Sequence, residues 1–158
     1  MIMGVYWPLY IIREGLVILL LLVGSTYSFA QNEDTAMVSV EEAQAAQDAA
    51  NAWLSFIDDM DYTSSWQQAA PVLQERESES AWEQTLESDH GPLGPLLSRA
   101  PQNREYTRSA PDLPEGEYVV MVYESSYTQL EDAIETVIMT RTADNSWRAA
   151  GYEIRPAP

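Results

Sequence analysis

The hydrophobic pattern changes period once, at the breakers His90-Gly91-Pro92 and Gly94-Pro95. That change divides the chain into a helical half and a stranded half. Before it, Ser39-Val40-Glu41-Glu42 forms a capping box, and Ala43, Ala46, Ala50, Trp53, Leu54 and Ile57 keep helical spacing. A first helix is therefore predicted to about Ile57. Asp58, Asp59 and Asp61 follow; carboxylates are unfavourable at a helix C-terminus and favourable at the next N-terminus. Asp61 is thus expected to N-cap a second helix carrying Tyr62, Trp66 and Ala69, ended or kinked at Pro71. Ser78 or Ser80 caps a third, with Trp82 and Leu86 four apart on one side.

Beyond the breakers, residues 99–109 are polar and read as an edge strand, and residues 117–127 are rich in Val and Tyr. Residues 133–142 and 146–154 are β-type runs joined across Asp144-Asn145, a hairpin signal. Three helices followed by four antiparallel strands predict an α+β domain over residues 39–156, its helices packed on one face of a curved sheet.

The front of the chain speaks to location. An apolar run at residues 16–23 leads to Ser28-Phe29-Ala30, then to the polar Gln31-Asn32-Glu33-Asp34. This is the pattern of a secretory signal cleaved between Ala30 and Gln31, followed by a short flexible leader over residues 31–38. Arg13 and Glu14 break the longer apolar stretch, and each charge near a bilayer centre costs about 2.5–3.5 kcal/mol. With Arg13 kept outside, residues 15–29 rise ~22 Å, short of a ~30 Å hydrocarbon core. Periplasmic or envelope export is expected, with an uncleaved inner-membrane anchor as the alternative.

Removing 30 of the 158 residues leaves 128, enough for one domain and too few for two. The absence of cysteine excludes a disulfide framework, a thiol nucleophile and lipoprotein attachment. A single histidine, His90, excludes a multi-histidine zinc site, and no cofactor or metal is called for. Acidic residues number 25 against 8 basic ones, all arginine, for a net charge of −17. Such a surface does not bind a phosphate backbone, so nucleic acid is excluded as a partner. It suits saline surroundings, where screening removes the self-repulsion.

The segment Asp144-Asn145-Ser146-Trp147-Arg148-Ala149-Ala150-Gly151-Tyr152-Glu153-Ile154 resembles the closing hairpin of a bacterial family, domain of unknown function 4019. The rest agrees in order: Trp53-Leu54, Asp61-Tyr62-Thr63-Ser64-Ser65-Trp66, Trp82, Pro92-Leu93-Gly94, Ser98-Arg99, Pro114-x-Gly116-x-Tyr118 and Glu135-Thr136-Val137. The resemblance spans about residues 45–155. It implies an exported, often envelope-associated protein, and transfers no activity and no catalytic residues. The family commonly places an arginine where this chain has His90. By analogy of element order, the fold is similar to cone-shaped nuclear transport factor two-like or cystatin-like folds.

Asp59-Met60-Asp61 superficially resembles a calcium loop, but the sixth position is Ser64 where Gly is needed and the twelfth is Ala70 where Glu is needed. His90 reads either as a favourable end charge at a helix C-terminus or as a general base. Across a symmetric turn Arg141 and Arg148 face each other; neighbouring carboxylates or a bulge must relieve the repulsion, unless the pair contacts an anion or acidic partner. Trp53, Trp66, Trp82, Tyr118, Trp147 and Tyr152 are core, or else line a pocket in which His90, Trp66 and Tyr152 would meet. The leading expectation is a non-enzymatic envelope module that binds a protein or a small apolar or cationic ligand. The alternatives are a small enzyme using His90 and a carboxylate for proton transfer, and a membrane-tethered structural partner.

Overall fold

A computed structural model describes residues 39–158, which lie within one compact unit. The proposed signal, the Ala30–Gln31 cleavage point and the whole leader lie outside them. The domain is α+β. Its helices are α1 (Val40–Asp58), α2 (Tyr62–Gln67), α3 (Pro71–Arg76) and α4 (Glu79–Asp89), followed by a 3-10 turn at Gly91–Leu93. Its strands are β1 (Leu96–Thr107), β2 (Tyr118–Tyr127), β3 (Leu130–Arg141) and β4 (Trp147–Pro156), an antiparallel sheet in the order β1-β2-β3-β4.

The count of three helices is corrected to four. Pro71 does not end or kink the second helix; it opens a separate one at its first turn, where a missing N–H costs nothing. Between α2 and α3 the Ala70 N–H donates to the Ala149 carbonyl of β4 at 2.8 Å, so this junction is fastened to the sheet. The capping box at Ser39 and the Asp61 cap form as expected, and Ser78 rather than Ser80 caps α4. The end of α1 owes less to its aspartates than to a backbone motif. Met60 adopts φ 57°, Met60 N–H bonds the Ile57 carbonyl at 3.0 Å, and Asp61 N–H bonds that of Phe56 at 2.8 Å. That crossing pair of bonds closes the helix with a left-handed residue.

The buried stripe of α1 (Ala46, Ala50, Trp53, Leu54, Ile57) lies in one core with Val119, Met121 and Tyr123 of β2, Val137 and Met139 of β3, and Ala149 of β4. The short helices are tied to α1 through Ser65. Its carbonyl accepts the Trp53 indole at 2.8 Å, and its hydroxyl accepts the Trp82 indole at 2.9 Å. A smaller cluster, Ala70, Ala110, Tyr118 and Ala150, forms a second apolar centre.

The β3–β4 turn corrects the expected register. Thr142 N–H bonds the Ser146 carbonyl at 2.9 Å, Asn145 N–H bonds that of Thr142 at 2.8 Å, and Asn145 sits at φ 63°. A type I turn followed by a left-handed residue makes an asymmetric three-residue loop. Arg141 therefore pairs with Trp147, and Arg148 with Thr140. The two arginines are on opposite faces, and a bulge at Ile138/Met139 then shifts the ladder by one residue.

Candidate functional site

Along β3 the buried positions Ala133, Glu135, Val137 and Met139 alternate, as one face of a strand must. Glu135 thus points into the core, and it is 0% exposed. A carboxylate taken out of water requires partners. Arg99 of β1 supplies two bonds, Nε to Oε2 at 2.5 Å and Nη2 to Oε1 at 3.0 Å. Ser125 and Tyr127 of β2 donate hydroxyls at 2.5 and 2.6 Å, and Tyr152 of β4 donates at 2.7 Å. Five donors converge on two oxygens, one from each flanking strand at the least, and the lone pairs are used.

The far edge of Arg99 is gripped in turn. Its Nη1 and Nη2 donate to the two oxygens of Asp58 at 2.8 and 2.7 Å, a bidentate fork. Asp58 occupies the last position of α1, where the helix dipole disfavours a carboxylate. The guanidinium supplies the compensation. Burial pushes the Glu135 carboxyl up, but the hydrogen bond and charge of Arg99, with Ser125 and Tyr127, outweigh it and hold the group below the usual glutamate range. Burial and the Glu135 charge push the Tyr127 and Tyr152 phenols well up, so both remain neutral donors.

His90 lies against this network. It is the C-cap of α4, 1% exposed, with its ring edge-on to Tyr127 and Tyr62 at centroid distances of 5.4 and 6.1 Å. Its Nδ1 is 3.2 Å from the Tyr62 hydroxyl, and its Nε2 has no hydrogen-bond partner among the described residues. Desolvation pulls its pKa down; the charges of Glu135 and Asp58 oppose that, and Arg99 reinforces it. The expected end charge is therefore overturned, because the imidazole is buried and held towards its neutral form. Nor is His90 hydrogen-bonded to a carboxylate, which the proton-transfer alternative requires.

The other expected site residues do not come together. Trp66 is half-buried and donates its indole N–H to the Glu77 carbonyl at 2.8 Å, tying α2 to the end of α3. Tyr152 is committed to Glu135 and sets its ring against Trp53 at 5.8 Å. Arg141 bonds Glu42 of α1 at 2.5 Å and lies 3.8 Å from Glu117. Arg148 reaches Asp144 at 3.3 Å, within its own hairpin. The like charges are thus relieved by carboxylates, with the register shift adding to the separation.

Sequence reading missed Arg99, Glu135, Asp58, Ser125 and Tyr127 as a group. The available signal was phase: in the alternation Ala133-x-Glu135-x-Val137-x-Met139, one carboxylate falls on the apolar face.

The most aromatic concavity lies between α1 and the start of β4. It measures about 370 Å³, and its walls include Ala49, Ala52, Trp53 and Phe56 of α1, Met139 of β3 and Trp147 of β4. Gln68, Ser146 and Arg148 supply the polar groups of its lining.

A protein-family model described as "Protein of unknown function (DUF4019)" matches residues 49–152, most of the chain and nearly all of this domain. The chain belongs to the DUF4019 family. No curated protein matches it. The matched span contains the whole buried network of this chain, from Asp58 through Arg99 and Glu135 to Tyr152, together with His90.

Proposed function

We propose that this DUF4019 protein is an exported, non-enzymatic module of the periplasm or envelope, and that it binds a small apolar ligand. The groove between α1 and β4 carries the reading, because Trp53, Phe56, Met139 and Trp147 border a concavity open to solvent. Its volume of about 370 Å³ falls within the ~300–1,000 Å³ range of small-molecule sites, with a few polar groups to orient a guest. Arg148 lines the groove but is paired with Asp144 at 3.3 Å, so the net charge of −17 still favours a neutral or cationic guest over an anionic one.

The buried network supports binding over catalysis. Glu135 already accepts five hydrogen bonds, and His90 is paired with Tyr62 rather than with a carboxylate. A general acid or base needs a free position aimed at a substrate. Arg141 and Arg148 each hold an internal carboxylate, which weakens the case for an anion or acidic-partner contact there. Helices on one face of a four-stranded meander also suit a cone-shaped nuclear transport factor two-like or cystatin-like fold, an analogy that bears on architecture alone.

Export is supported by the apolar run at residues 16–23 followed by Ser28-Phe29-Ala30. Among the described residues, no helix is long and apolar enough to cross a membrane. Native mass spectrometry of the protein recovered from the periplasm tests both halves of the reading. The polypeptide should begin at Gln31 and carry a small adduct that the groove-filling variant Ala52→Trp loses. A chain retaining residues 1–30 overturns cleavage. An adduct-free wild type that gains no signal from hydrophobic extracts, or an Ala52→Trp variant with its adduct intact, overturns the groove.

A further inference from the structure

His90 has one ring nitrogen in use and one without a partner among the described residues, in a site 1% exposed to solvent. Neutral imidazole tolerates this arrangement with its hydrogen on Nδ1, donated to the Tyr62 hydroxyl, and Nε2 left unprotonated. Imidazolium does not, because both nitrogens must then donate and Nε2 meets no acceptor. The buried charged and phenolic groups that act on the ring are already engaged. Tyr62 of α2 faces Nδ1, and Tyr127 of β2 presents its ring while its hydroxyl donates to Glu135. Glu135 of β3, Asp58 of α1 and Arg99 of β1 are locked to one another. On α4 itself Glu87 and Asp89 are exposed.

The position of His90 in the backbone matters as much. Its N–H bonds the Leu86 carbonyl at 2.8 Å and its carbonyl accepts Leu93 N–H at 3.0 Å, so it is the joint between α4 and the 3-10 turn. That turn is stitched to the β2–β3 hairpin: Gln129 N–H bonds the Leu93 carbonyl at 2.9 Å, and Thr128 N–H bonds that of Pro95 at 3.1 Å.

We propose that His90 is an acid-sensitive latch: on protonation the imidazolium leaves its partnerless site and frees the Gly91–Leu93 turn from the β2–β3 hairpin. The closed form binds the proton less well than the open form does. The closed form is therefore fully favoured above the ordinary histidine pKa of about 6.5, and it loses ground as pH falls below that value. The opening constant rises by up to about tenfold per pH unit, until the pKa in the closed form is reached. Glu135 titrates below the ordinary glutamate range, so the window between about pH 6.5 and pH 4.5 is free of it. This inference does not rest on the groove.

Because the chain has a single histidine, its imidazole can be titrated by NMR without assignment ambiguity. Amide exchange read at Leu93, Gln129 and, as a reference for global opening, Val137 completes the test. The expected result is an imidazole titrating below about 6.5. Protection of Leu93 and Gln129 should fall up to tenfold per unit through the window while that of Val137 holds, and His90→Gln should abolish the dependence. Titration at or above 6.5, unchanged protection at Leu93 and Gln129, or a parallel fall at Val137 overturns the latch. The wild-type titration and exchange decide the matter even where His90→Gln fails to fold.

Discussion

Replacing Arg99 with methionine should be among the most damaging substitutions in this domain. The side chain is 12% exposed and carries the only positive charge among the described residues that touches Glu135, which is 0% exposed, and Asp58, which is 23% exposed. Methionine fills much of the volume, so the main loss is electrostatic: a buried carboxylate keeps three hydroxyl donors but no counter-charge. Breaking one side of a buried pair typically costs ~3–5 kcal/mol. Glu135→Gln is milder, because Arg99 keeps its bidentate grip on Asp58; about 1–3 kcal/mol is expected for disturbed buried hydrogen bonds. The double variant Arg99→Met with Glu135→Gln should cost less than the sum, with a coupling of roughly 2 kcal/mol. In urea, with a slope of about 2 kcal/mol per molar, the single Arg99→Met change lowers the midpoint by roughly 2 M. pH supplies a second check. In the wild type, Arg99 holds the Glu135 pKa down, so that stabilisation is present above about 4.5 and lost as pH falls through the depressed value. In Arg99→Met the Ser125 and Tyr127 hydroxyls still oppose burial, but the hydrogen bond and charge of Arg99 are gone, so the pKa rises and the penalty should shrink on acidification from about pH 8 to about pH 5. A cost below about 1 kcal/mol, or single effects that add within ~0.5 kcal/mol, would refute the counter-charge argument.

Two further outcomes follow from charge and backbone geometry. With a net charge of −17, the thermal midpoint should climb from about 10 mM to about 1 M salt, as the screening length contracts from ~30 to ~3 Å; a flat or falling midpoint in calorimetry removes the saline reading. Gly94 sits at φ 72° and ψ −170°, and a Cβ there would lie 2.2 Å from the Thr128 hydroxyl oxygen. Gly94→Ala should cost about 2 kcal/mol or more by urea denaturation, and adding Thr128→Ala should recover only the steric part, leaving the ~1–3 kcal/mol of backbone strain. Full recovery in the double variant would show that the backbone is unstrained.

Order and type of elements were legible because period and caps are local. Ser39, Asp61 and Ser78 act through N–H groups three residues away, and the buried alternation of β2 and β3 needs only pleat geometry. Two local readings failed where a neighbour decided the outcome. Pro71 fits a helix start as well as a helix stop, and the Ala70–Ala149 bond selects the start. The Asp144-Asn145 turn could be drawn symmetrically, but the left-handed Asn145 places three residues in the loop and moves Arg148 off Arg141. His90 was misread for a related reason. Adjacency to glycine at a helix end says nothing of what covers the ring, and here Tyr62 and Tyr127 close over it.

The polar network was the least visible feature because its members are far apart in sequence, and that separation is also its use. Arg99, Ser125 with Tyr127, Glu135 and Tyr152 come from β1, β2, β3 and β4 in turn, and Asp58 adds α1. Strand side chains alternate with period two, so a slip of one residue in any ladder would turn a member to the opposite face. For β3 that slip strands Glu135 outside and breaks five hydrogen bonds at once. An apolar residue at position 135 would pack in the native register, yet it would penalise misregistered pairings far less, since Val and Ile are tolerated on either face. The network therefore separates the native pairing from its neighbours by more than it stabilises the native state itself. A carboxylate committed in this way to fixing register is unsuited to serve as a reacting group, which is why the open aromatic groove, rather than the buried acid, is where a ligand should be sought.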